Sequence, residues 1–86
     1  MRTKADKPVA LTLYITRYCH LCTEMELALL PWQQRLGFRL ELKDIDEVPE
    51  LDDIYGERVP VLMHGEREIC AGRLDPERLQ QALSTP

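Results

Sequence analysis

Eighty-six residues are enough for one small domain and no more. Hydrophobic residues make up 44% of the chain and charged residues 30%, the balance of an ordinary soluble globular fold. The net charge of −4, with no block of like charge, argues against nucleic acid and anionic membrane as partners.

Residues 1–8 read as a loose tail and Ser84-Thr85-Pro86 as another, around a core of about residues 9–83. No linker, repeat or low-complexity segment divides the chain, so residues 1–86 form a single domain. The first predicted strand is about Val9–Ile15, with Leu11, Leu13 and Ile15 on one face. Met25, Leu29, Trp32 and Leu36 then recur at helical spacing, which predicts a helix over His20–Leu36 closed by Gly37. Pro31 lies inside it and is expected to kink it or end its first half. Phe38 to Lys43 alternates apolar and polar, the pattern of a second strand with one buried face. Asp46 or Glu47 can begin a short helix with Pro49 in its first turn and Gly56 past its end. Val59-Pro60-Val61-Leu62-Met63 is a third strand, and His64-Gly65-Glu66 turns the chain into a fourth, Arg67–Ala71. Asp75-Pro76 is an N-cap followed by proline at the first helical position, opening a last helix with Leu79, Ala82 and Leu83 inward.

A strand-helix-strand unit makes two parallel strands, and the hairpin adds an antiparallel pair. The expected fold is therefore α/β, in the order β-α-β-α-β-β-α, with a four-stranded mixed sheet and helices on both faces.

Cys19-His20-Leu21-Cys22 carries the chemistry. The count of 3 cysteines is odd and includes one close pair, which does not make a secreted disulfide scaffold. The charged start, Met1 to Lys7, and an apolar run interrupted by Thr12 and Tyr14 give neither a signal peptide nor a membrane span. The expected setting is the reducing cytoplasm, where a lone C-x-x-C is catalytic or metal-binding rather than structural. Cys19 precedes the helix, so its sulfur lies near free N–H groups and the positive end of the macrodipole. Such sites lower a cysteine pKa from about 8.5 into a range of roughly 3.5–7.5, and the thiolate is the attacking species. Cys19 is then the exposed nucleophile, and Cys22, one turn further in, the resolving thiol.

The element order, with C-x-x-C after the first strand and Val59-Pro60 opening the third, resembles the thioredoxin fold. Within it the chain looks like the glutaredoxin-like family of small bacterial proteins. The matching segments are Leu13-Tyr14 leading to Cys19–Cys22, Lys43-Asp44-Ile45-Asp46, Tyr55 to Leu62, and Gly72 before the last helix. The resemblance implies a thiol–disulfide oxidoreductase of cell redox homeostasis, acting as a monomer on protein disulfides or glutathione mixed disulfides. It implies a cis Val59–Pro60 peptide, with Val59 offering free backbone N–H and C=O groups to a substrate strand. Gly72 and Asp75 fall where the family meets glutathione. His20 and Leu21 stand where glutaredoxins commonly carry Pro-Tyr, and Thr16 where a basic residue often lies, with Arg17 beside it. Glutathione is thus expected as a co-substrate at most, with no tightly bound cofactor and no metal.

His20, Arg17 and Tyr18 flank the motif and are candidates for tuning the thiolate; for Tyr18 an aromatic prop is the simpler role. Cys70 sits among apolar residues and reads as a small core side chain. The acids from Asp44 to Glu50, with Asp52 and Asp53, read as solvated charge at strand end and helix start. Two other classes stay open: a module binding a metal or an iron–sulfur cluster, and a non-catalytic thioredoxin-fold interaction protein.

Overall fold

The computed structural model describes residues 9–17 and 19–84. Residues 1–8 and, of the other expected tail, Thr85 and Pro86 lie outside them, as does Tyr18, whereas Ser84 belongs to the last helix. The order is β1 (Ala10–Ile15), α1 (His20–Leu36), β2 (Arg39–Asp44), a 3-10 turn (Ile45–Glu47), α2 (Pro49–Tyr55), β3 (Val61–His64), β4 (Arg67–Ala71) and α3 (Pro76–Ser84). The strands form one four-stranded sheet in the spatial order β2-β1-β3-β4. β1 runs parallel to β2 and antiparallel to β3, and β3 pairs antiparallel with β4.

Alternation along β1 sends Leu11 and Leu13 to one face. Leu13 stands opposite Leu62, and Leu62 opposite Cys70, so that row faces the same way. These side chains meet Met25 and Leu29 of α1 and Leu79 of α3 in a single core. A register shift between Leu62 and Met63 accommodates an extra residue on β4, and both Ile69 and Cys70 are buried in that core. On the opposite face Tyr14 stacks on Tyr55 of α2, with ring centroids 4.5 Å apart. Helices therefore cover both faces of the sheet, as expected.

Three boundaries differ from the sequence reading, each for a local reason. Pro31 does not end α1, which runs on to Leu36. Pro31 is exposed, and Leu27, whose carbonyl loses its partner, is 61% exposed, so water can satisfy that group. The short helix expected at Asp46 or Glu47 is split. Ile45 is fully buried and anchors a 3-10 turn, and Val48, preceding Pro49, is extended at φ −134°. β3 begins at Val61 rather than Val59, because Pro60 has no N–H and that of Val59 is committed elsewhere. Gly37 closes α1 at φ 77°, donating its N–H to the Gln33 carbonyl at 2.8 Å. Among the described residues no helix is long and apolar enough to cross a membrane.

Candidate dithiol site

Cys19 is the N-cap of α1, extended at φ −115° and ψ 107°. That conformation turns its side chain back over the first helical turn, where Sγ accepts the Cys22 N–H at 3.0 Å. The sulfur thus satisfies one of the helix's orphan donors. No acidic residue stands in that first turn to compete for the positive end of the helix. Cys22 lies behind it at 3% exposure, while Cys19 is half-buried. The two sulfurs are joined, with Cα atoms 5.2 Å apart, inside the span a disulfide bridges. The C-x-x-C spacing therefore places an accessible sulfur in front of a shielded one.

A cleft of about 410 Å³ opens beside the pair. Ile15 and Thr16 at the end of β1 form one wall, and His20, Thr23 and Glu26 of α1 the other, with both cysteines between them. His20 is exposed at the rim. Glu26 is half-buried, and no described residue bonds its carboxylate. The sequence reading passed over Glu26, although a signal was present: it stands four residues after Cys22, on the same helical face.

Arg17, a candidate for tuning the thiolate, does not line this cleft. Its backbone N–H donates to Asp46 Oδ2 at 3.3 Å, and its Nε lies 3.6 Å from Asp44 Oδ2. It fastens the loop before Cys19 to the end of β2. An exposed ion pair of this kind contributes about 0–1 kcal/mol.

Antiparallel pairing brings the other expected residues to the same end of the sheet. Val61 stands opposite Tyr14 on β1 and opposite Ala71 on β4. Val59-Pro60 and Gly72 therefore lie at the end where the cysteine turn leaves β1. The Val59–Pro60 peptide is cis. Gly72, at φ 81°, donates its N–H to the Pro60 carbonyl at 2.8 Å and so braces that turn. One expectation needs correcting. The Val59 N–H is not free, because it donates to the Tyr55 carbonyl at 3.1 Å. Asp75 caps α3, its Oδ1 accepting the Arg78 N–H at 3.2 Å, which is the ordinary work of that residue at a helix start.

Cys70 is a free thiol at 3% exposure, as the sequence reading expects of a core residue. Burial pushes its pKa above the ordinary value of 9.0, partly offset by the Asp75 backbone N–H. The sign of the consequence is fixed. Below about pH 9.0 the folded and unfolded chains both keep the proton; above it the unfolded chain loses it first, so stability falls as pH rises. With Cys19–Cys22 oxidised, urea unfolding between pH 8 and 10 should show a steeper loss for the wild type than for Cys70→Ala, by up to about 1.4 kcal/mol per pH unit. Parallel slopes would mean that the thiol ionises equally in both states. Among the described residues, no three His, Cys, Asp or Glu side chains come together as a metal-ligand set.

Residues 10–84 match the family described as a glutaredoxin-like domain. A Nitrosomonas europaea protein solved by solution NMR is 35% identical, with a TM-score of 0.83 over 98% of this chain and 100% of that one. An X. campestris protein solved by X-ray crystallography is 38% identical, with a TM-score of 0.68 over 88% of this chain and 99% of that one. The germline-specific thioredoxin Deadhead of the fruit fly is 22% identical, with a TM-score of 0.55 over 93% of this chain and 82% of that one. That last likeness is one of fold alone. No protein of curated function matches the chain.

Proposed function

Because the chain belongs to the glutaredoxin-like domain family, we propose that it is a thiol–disulfide oxidoreductase working through Cys19 and Cys22. The observation that carries this reading is the N-cap position of Cys19, with its sulfur held by the Cys22 N–H at 3.0 Å and Cys22 shielded behind it. An N–H donor and a helix N-terminus both favour the charged form of the sulfur. In the reduced protein the Cys19 thiolate attacks one sulfur of a substrate disulfide, and the other substrate sulfur leaves with the electron pair. Cys22 then attacks Cys19 Sγ, releases the second substrate thiol and closes the pair. Protein disulfides and glutathione mixed disulfides both fit this chemistry. Val59, Pro60 and Gly72 form the neighbouring edge along which a substrate would lie, with the Val59 N–H excluded as a pairing group. A reducing cytoplasm is the setting in which such a pair cycles.

Mass spectrometry of Cys22→Ser incubated with oxidised glutathione tests the reading. The expected result at neutral pH is one glutathione adduct, on Cys19, with none on buried Cys70. Absence of an adduct on Cys19 would overturn it.

A further inference from the structure

Resting on that reading, we propose that Glu26 is the proton acceptor for Cys22 when Cys22 resolves the mixed disulfide on Cys19. Resolution requires the Cys22 thiol to lose its proton, and at 3% exposure that thiol has little access to water. Among the described residues, the cleft lined by both cysteines contains two other titratable side chains, His20 and Glu26. The facing wall, from the end of β1, is Ile15 and Thr16 and carries no charge. His20 is two residues before Cys22, about 200° around the helix axis from it, whereas Glu26 is four residues after it, about 40° away. Side chains at that separation are neighbours, with Cβ atoms about 5–6 Å apart. Glu26 is also half-buried and unbonded by any described residue, so its oxygens are available to accept a proton, directly or through one water.

The step balances. The proton moves from Cys22 Sγ to the Glu26 carboxylate. Cys22 Sγ bonds to Cys19 Sγ, the bond from Cys19 to the substrate sulfur breaks, and that sulfur leaves with the electron pair. It then takes up the proton from the Glu26 carboxyl group or from solvent. The substrate disulfide ends as two thiols and the dithiol as a disulfide.

A rival role for the same carboxylate has the opposite sign. If Glu26 acted only as a fixed negative charge, it would oppose the Cys22 thiolate, and removing it would speed resolution. Stopped-flow reaction of the full reduced chain with 5,5′-dithiobis(2-nitrobenzoate) separates the two steps. The first thionitrobenzoate released reports attack by Cys19 and the second reports resolution by Cys22. In Glu26→Gln the second release is expected to slow roughly 10²-fold relative to the first at pH 7. The deficit should shrink as pH rises past about 8.5, where solvent can deprotonate an ordinary thiol unaided. Glu26→Asp should recover part of the rate. A second release in Glu26→Gln that is unchanged, faster, or slowed equally at every pH overturns the assignment while leaving the exchange reaction standing. Absence of the first release in the wild type overturns the oxidoreductase reading itself, and this assignment with it.

Discussion

Cys19→Ser is expected to remove disulfide exchange, by roughly 10³-fold or more relative to the wild type, while leaving the fold intact. A hydroxyl is not ionised at neutral pH and does not displace a thiol from sulfur. Neither remaining cysteine can take its place. Cys22 and Cys70 are each only 3% exposed, so a protein disulfide cannot reach them without local opening. Serine is the informative replacement because Cys19 is an N-cap whose side chain accepts the Cys22 N–H, and serine is among the best residues for that position. The variant should therefore keep the fold, falling short of the reduced wild type only by what the interaction of the helix start with the thiolate adds. Relative to the oxidised wild type it loses a crosslink closing a very short loop, which costs below about 2 kcal/mol. The measurement is the rate at which each protein, recycled by excess dithiothreitol, reduces a model protein disulfide, with circular dichroism to confirm the fold. Retention of even a tenth of the rate would move the nucleophile to another sulfur and undo the proposed order of attack.

Elements that carry their own pattern were legible in the residues. The apolar spacing from Met25 to Leu36, with Gly37 behind it, delimits α1 at both ends as found, and the hairpin strand Arg67–Ala71 matches residue for residue. What escaped depends on how the backbone is folded rather than on the local pattern of residues. Arg17 meets Asp46, 29 positions distant, only because parallel pairing places the end of β2 beside the end of β1. Nothing in the local run distinguishes that arginine from one aimed at a thiolate. Val59 is a comparable case. Its N–H is taken by Tyr55 across the turn that leads out of α2, a bond that no alternation of apolar and polar residues announces. Glu26 was missed for a different reason. The apolar stripe draws the helical count to Leu29, and the carboxylate shows only when the same spacing is counted from Cys22. The cysteine pair, by contrast, was legible because a strand end followed by a helix start leaves little freedom in where the first sulfur can lie.

Leu29→Ala is expected to cost about 3–4 kcal/mol of folding stability. Leu29 is fully buried, and it joins α1 to the sheet within the same cluster as Leu11, Leu13 and Leu62. A domain of 86 residues has on the order of 4–13 kcal/mol in total, so this one truncation removes a large part of it. Leu27, two residues earlier on the same helix, is 61% exposed, and Leu27→Ala should change stability by no more than about 0.5 kcal/mol. Urea unfolding of the two variants provides the comparison, and similar costs would show that α1 does not pack on the face assigned to it. The consequence reaches the dithiol. Met25, the other fully engaged α1 residue in that cluster, lies between Leu29 and Cys22, so the helix that Leu29 anchors is the one that keeps Cys22 shielded. In the reduced state Leu29→Ala should therefore expose Cys22 to iodoacetamide faster than Leu27→Ala does, because loss of the anchor lowers the free energy of local opening around the first turns of α1.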